Sequence, residues 1–327
     1  MKKRQFLFDN MKVLLMCLVV FDHFLEKISI EGGYGIIRAW IYSFHMPAFV
    51  FISGYFSKHT SEDEIKTITY CLIPYFVFNT AYSIYIHKTL IVNIFTPQYI
   101  FWYLFCLAIW RLSISYLKRI KGILGISIIL GLYIGVIYEA DRFMSISRLI
   151  SFLPFFLTGY FCKPEEVIKV RKLPRICTIS LAALLLGSVT LLHTSKLIPV
   201  KAYEEIQCYQ KSGMSNIQGI MVRGFSYIVG MLAIVCLINL ISDRERWYTK
   251  YGRRTIVIYV ASVFSVMIIY RVLGVFSDFM VRCVRVGVLF GTCATGVTFF
   301  VFGSESVYNL YIKIIEYIGK FVKWELQ

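Results

Sequence analysis

A chain of 327 residues that is 58% hydrophobic, with a mean hydropathy of +0.67, fits few soluble folds. Its formal net charge of +16 would suggest nucleic acid in a soluble protein, but in so apolar a chain the excess of Lys and Arg matches cytoplasmic loops, so no nucleic-acid partner is expected. The nine cysteines are scattered, mostly within apolar runs, and form no Cys-x-x-Cys pair, so neither a disulfide framework nor a zinc site is expected.

Apolar stretches of span length recur at about 11–29, 35–56, 67–86, 99–117, 122–138, 149–162, 176–193, 218–241, 255–274 and 284–303. They predict an all-α fold, a polytopic membrane bundle of about ten transmembrane helices. Residues 1–24 have the basic start and apolar core of a signal peptide, but no small-x-small site follows, so the stretch reads as a retained first helix. The sixth stretch is short for a crossing, which a tilt, a bend at Pro154 or a longer helix would each explain. The longest polar connection, 194–217, is too short for a soluble domain, and residues 1–327 are read as one domain. With the N-terminus inside, the inner segments carry Lys2, Lys3 and Arg4, then Lys58 and Lys66, the clusters at 118–121, 163–175 and 244–254, and finally Lys313, Lys320 and Lys323. The outer segments carry fewer, although 194–217 and 274–285 are also basic. This pattern puts both termini of a multi-pass protein in the cytoplasm.

The first two stretches hold ionisable side chains inside apolar runs, where each is a candidate for function. His23 lies 12 residues above Met11, and His45 lies 11 residues above Phe56. At ~1.5 Å per residue both sit ~17–18 Å above the inner boundary, at matched depth. Lys12 and His23, 11 residues apart, share one helix face with a rise of ~16 Å. Asp22 and Glu26 flank His23, and a carboxylate on Nδ1 would leave Nε2 as a base for a hydroxyl proton. The alternative is a structural histidine bonded to a helix carbonyl. His45 precedes Met46-Pro47, where a proline frees backbone groups that an imidazole can satisfy. Arg38, Trp102 and Arg148 fall near outer span ends, and Lys58, Lys66 and Arg111 near inner ends. Taken singly, Trp102 reads by composition as a belt tryptophan, Arg148 as a snorkelling cation, and Lys12, Lys58, Lys66 and Arg111 as positive-inside anchors. Ser53-Gly54 reads as close helix packing. The sequence contains no phosphate-binding loop, no dinucleotide fingerprint and no nucleophile elbow, and neither intramembrane histidine has an H-x4-D spacing.

The run Asp9-Asn10-x-Lys12-x10-His23 followed by Phe44-His45-Met46-Pro47-x-Phe49-x-Phe51-Ile52-Ser53-Gly54-Tyr55 resembles the acyltransferase-3 family of integral membrane O-acyltransferases. Within it, the sequence is most similar to the fucose 4-O-acetylase-like and capsular polysaccharide O-acetyltransferase branch of bacteria. Phe101-Trp102-Tyr103-Leu104 through Trp110-Arg111-Leu112, Ser147-Arg148 through Gly159-Tyr160, and Gly252 through Tyr259 extend the likeness to about residues 9–303. The resemblance implies that His23 is the catalytic base and that Lys12 and the region of Lys58 and Lys66 meet the acyl-CoA phosphates. Three positions depart from the pattern. Lys12 stands where many members have Arg, Thr69 where a second basic residue is frequent, and Asp22 where Gly is usual.

The reading that follows is transfer of an acyl group, acetyl first, from cytoplasmic acetyl-CoA to a hydroxyl of a surface or lipid-linked glycan. His23, Asp22 and Glu26 form the catalytic group. Lys12, Lys58, Lys66 and Arg111 hold the donor, and Arg38, His45, Trp102 and Arg148 line the acceptor side. Acetyl-CoA, the glycan and membrane lipid are the expected partners, a homodimer is admitted, and no metal or prosthetic group is expected. The place is the bacterial cytoplasmic membrane. Two other readings stay open: a glycan or anion transporter or flippase with the histidines as a proton relay, and a non-catalytic member of a glycan-export complex.

Overall fold

The computed structural model describes residues 5–29, 31–59, 64–88, 94–140, 143–273, 280 and 283–325, and every regular element among them is helical. Hydrocarbon offers the backbone no hydrogen-bond partner, so a spanning segment satisfies its own amides and carbonyls by coiling. Each of the ten predicted stretches contains such helix. α1 is Phe6–Ile28 and α2 is Gly32–Phe56, which continues through Pro47. The third stretch is α3 (Glu64–Thr67), a π-helical turn (Ile68–Leu72) and α4 (Ile73–His87). α5 (Trp102–Leu117) and α6 (Ile123–Ile134) follow. The sixth stretch is broken: α7 (Ile146–Ser151), with the 3-10 turn before it, and α8 (Leu153–Phe161) meet at a 51° bend beside Pro154. A proline tolerates the first turn of a helix but not its interior, which places the break where it is.

α9 (Pro164–Arg171), α10 (Arg175–Thr194), α11 (Val200–Tyr203), α12 (Asn216–Leu240), α13 (Thr255–Leu273) and α14 (Val284–Phe302) continue the chain. The sequence reading did not anticipate α15, Glu305–Glu325. Among the described residues four helices are long and apolar enough to cross a membrane: α2, α10, α12 and α14. The bent α7–α8 pair makes five if it counts as one span. α1 has the length but carries Asp9, Lys12, Asp22, Glu26 and Lys27.

The chain forms two compact units. The first is Met1–Phe49, Lys163–Tyr203 and Ile228–Asn309. Here α1 packs on α13, α14 and the 3-10 turn Thr249–Arg253. Buried Asn10 anchors the start of α1: its Nδ2 donates to the carbonyls of Ser242 (2.8 Å) and Arg244 (3.0 Å), and the Thr249 hydroxyl donates to its Oδ1 (2.6 Å). A Ser265–Thr298 hydroxyl pair at 2.7 Å ties α13 to α14.

The second unit is Val50–Cys162, Glu204–Tyr227 and Leu310–Gln327. Gly54 and Gly159 let α2 and α8 approach backbone to backbone. A Cβ on Gly54 would lie 2.0 Å from the Phe156 carbonyl oxygen, and one on Gly159 would lie 2.0 Å from that of Phe51. The Ser53-Gly54 pair is thus a packing site, as read from the sequence. Trp110 Nε1 donates to the Leu149 carbonyl at 3.0 Å, and the Tyr227 hydroxyl donates to that of Ser151 at 2.8 Å.

Candidate active site

In the first unit α1 is unbroken from Phe6 to Ile28, so Lys12 and His23 keep the one-face spacing derived from their separation. His23 is buried, and Glu26, one turn on, places Oε2 3.7 Å from its Nδ1. A carboxylate on that side favours the proton on Nδ1 and leaves Nε2 as the basic nitrogen. Asp22 is one residue away from His23, about 100° around the helix, and is engaged elsewhere. Its Oδ1 accepts from Arg38 Nε at 2.9 Å, with both side chains only 2% exposed. The two carboxylates expected to serve the histidine are therefore divided: Glu26 sits at the imidazole, and Asp22 neutralises an arginine of α2. Arg38, expected on the acceptor side, is the partner of Asp22 in a buried ion pair.

The same pair leads to His45. The Arg38 guanidinium lies 5.4 Å from the Tyr42 ring centre, and the Tyr42 ring meets the His45 ring edge to face at 5.0 Å. Arg38, Tyr42 and His45 stand at i, i+4 and i+7, on one face of α2. Sequence reasoning missed Tyr42, although its spacing between two singled-out residues was the available signal. His45 Nδ1 lies 2.7 Å from the Ile41 carbonyl. A carbonyl only accepts, so Nδ1 carries the proton and Nε2 is the lone-pair nitrogen of the neutral ring. The imidazole thus bonds backbone, but at the Ile41 carbonyl and not at the Ser43 carbonyl that Pro47 leaves without its helical donor. Lys12 Nζ is 2.9 Å from Asp9 Oδ1, an ion pair on the first turns of α1.

In the second unit the remaining residues fall into two groups. Trp102 is buried, its ring stacked on Phe152 at 5.4 Å, with the Arg148 guanidinium 4.6 Å from its centre. Arg148 Nε also donates to the Glu204 carbonyl at 2.7 Å. The Trp102 ring is thus already occupied by protein contacts, where the sequence reading reserved it for a sugar. The other group surrounds the end of α2. Arg111 Nε donates to the Ser57 hydroxyl at 3.2 Å, and its Nη1 lies 3.5 Å from Cys71 Sγ on the π-helical turn. Lys58 donates to the Cys162 carbonyl and lies 4.3 Å from the Tyr55 ring centre. Ser53 and the Tyr103 hydroxyl share a 2.5 Å hydrogen bond. Lys66 is exposed on α3. Among the described residues no group of His, Cys, Asp and Glu is placed to hold a metal ion.

Several apolar helices of spanning length, among them α2 with buried His45 and with Arg38 paired to Asp22 of α1, mark a membrane protein with buried polar groups. Residues 7–303 match the acyltransferase-3 family, described as an acyltransferase domain, and the chain belongs to that family. No curated protein and no solved structure matches the chain. Family membership makes acyl transfer, from an acyl donor to an acceptor, the activity of this protein in general terms.

Proposed function

We propose that this protein is a membrane O-acetyltransferase that moves acetyl from cytoplasmic acetyl-CoA to a hydroxyl of a cell-surface or lipid-linked glycan. In this reading it belongs to the fucose 4-O-acetylase-like and capsular branch, in the bacterial cytoplasmic membrane. It is one domain of about ten crossings with both termini inside. The observation that carries the reading is a buried His23 with Glu26 at its Nδ1 side, in a chain that belongs to an acyltransferase family.

His23 Nε2 takes the proton of the acceptor hydroxyl as the oxygen attacks the thioester carbonyl. The carbon–oxygen bond forms, the carbon–sulfur bond breaks, and the proton passes to the leaving thiolate. Glu26 stabilises the imidazolium formed on the way. The Asp22–Arg38 pair holds α1 against α2 and engages the Asp22 carboxylate. Lys12 takes a donor phosphate, and the ~16 Å rise from Lys12 to His23 suits an extended pantetheine arm. His45 contacts the acceptor.

The test is NMR of the surface polysaccharide from cells with and without the protein, read at the O-acetyl methyl and the shifted ring protons. Both signals vanish without it and return with wild type but not with His23→Ala at equal protein level. Acetylation retained in His23→Ala overturns the role of the base. A glycan unchanged in chemistry but reduced in surface amount favours the transporter reading.

A further inference from the structure

α15 divides its surface into three sectors. At ~100° per residue, Tyr311, Ile315 and Gly319 form one stripe, Leu310, Ile314 and Tyr317 a second, and Asn309, Lys313, Glu316 and Lys320 a third, roughly 120° apart. The first stripe packs on protein. Tyr311 and Ile315 are buried, the rings of Phe78 and Tyr311 stack at 6.2 Å, and a Cβ on Gly319 would meet Thr69 Cγ2 at 2.8 Å. The second stripe is uncovered, with Leu310, Ile314 and Tyr317 at 59%, 48% and 78% exposure. In the third, the Tyr70 hydroxyl donates to Glu316 Oε1 at 3.0 Å, while Lys313 and Lys320 face outward.

We propose that α15 lies in the plane of the membrane surface, with Leu310, Ile314 and Tyr317 seated at the acyl boundary and Lys313 and Lys320 on anionic lipid headgroups. A spanning orientation would carry Lys313, Glu316 and Lys320 into hydrocarbon on successive turns. A fully aqueous one would leave three large apolar side chains aligned in water. An interfacial helix satisfies both stripes at once. The span α14 ends at Phe302, three residues before α15 begins, and Arg254 donates there to the Gly303 carbonyl (2.8 Å) and to Glu305 (3.2 Å). The anionic leaflet is the cytoplasmic one, so the helix also marks the inner face.

The test uses the full chain in nanodiscs of mixed phosphatidylcholine and phosphatidylglycerol. A fluorescent noncanonical residue is placed singly at position 313, 314 or 317, and quenching is read with iodide and with lipids spin-labelled at shallow or deep acyl positions. Positions 314 and 317 are quenched most by the shallow label, and 313 most by iodide. The variant Lys313→Glu/Lys320→Glu, checked for unchanged elution, raises iodide quenching at 317 about fivefold or more, and so does pure phosphatidylcholine. Deep-label quenching at all three positions overturns the proposal in favour of a span. Iodide quenching at all three overturns it in favour of water. Shielding of 317 that depends on protein density and yields a cross-link overturns it in favour of a second copy. Quenching indifferent to lipid charge and to both Glu substitutions overturns the anionic-headgroup assignment.

Discussion

Replacing Asp22 with Asn leaves the Arg38 guanidinium buried without the carboxylate that balances it. The two side chains are each 2% exposed and their atoms are 2.9 Å apart, so solvent screens little of the pair. Removing one partner of such a pair typically costs about 3–5 kcal/mol, because the remaining charge stays buried. Arginine cannot relieve this by losing its proton. The reverse change, Arg38→Leu, is milder: a buried carboxyl escapes its charge by taking up a proton, and about 1–3 kcal/mol is expected. Asp22→Leu/Arg38→Leu removes both charges, and apolar replacement of a buried pair is often neutral or better. The double variant should therefore be more stable than Asp22→Asn by about 3 kcal/mol or more. Equilibrium unfolding of the four purified proteins in one detergent system gives the comparison. Single variants within about 0.5 kcal/mol of wild type, or a double variant no more stable than Asp22→Asn, would refute a coupled buried pair. Acyl transfer measured on the same proteins separates two roles for Asp22. Transfer that returns in the double variant assigns the carboxylate to Arg38, and transfer that stays lost assigns it to His23.

Glu26→Gln should lower turnover about fivefold, since a 3.7 Å pair with the carboxylate 31% exposed is worth about 1 kcal/mol. A loss as deep as that of His23→Ala would place Glu26 in the chemistry itself, and no loss would remove it from the site. Gly54→Ala and Gly159→Ala should each destabilise the protein by about 1–3 kcal/mol or more, because each methyl would enter the facing carbonyl. Unchanged unfolding midpoints would show that α2 and α8 do not approach as closely as described. Asn10→Ala removes three hydrogen bonds at a buried site and should cost about 2 kcal/mol. Full stability in that variant would show that α1 is anchored elsewhere.

Much of the helical framework was legible in the chain. Long apolar runs have one economical structure in hydrocarbon, and each predicted run holds helix; at the shorter sixth run the structure chose the bend at Pro154 from the three alternatives the sequence left open. α15 was not read, because its charges lower its hydropathy and only its 3.6-residue stripes disclose it. In the site, sequence determined the residue types and their intrahelical spacing: Glu26 stands one turn from His23, and Lys12 shares its face. Tertiary structure decided the pairings. One residue along α1 is about 100° of rotation, which sends Asp22 to Arg38 on another helix and leaves Glu26 to the histidine. Likewise Trp102, free to meet a sugar on paper, is covered by Phe152 and Arg148. Local geometry follows from the periodicity of a single helix. Which side chain meets which across helices depends on how the helices rotate and pack, and no local window of sequence contains that.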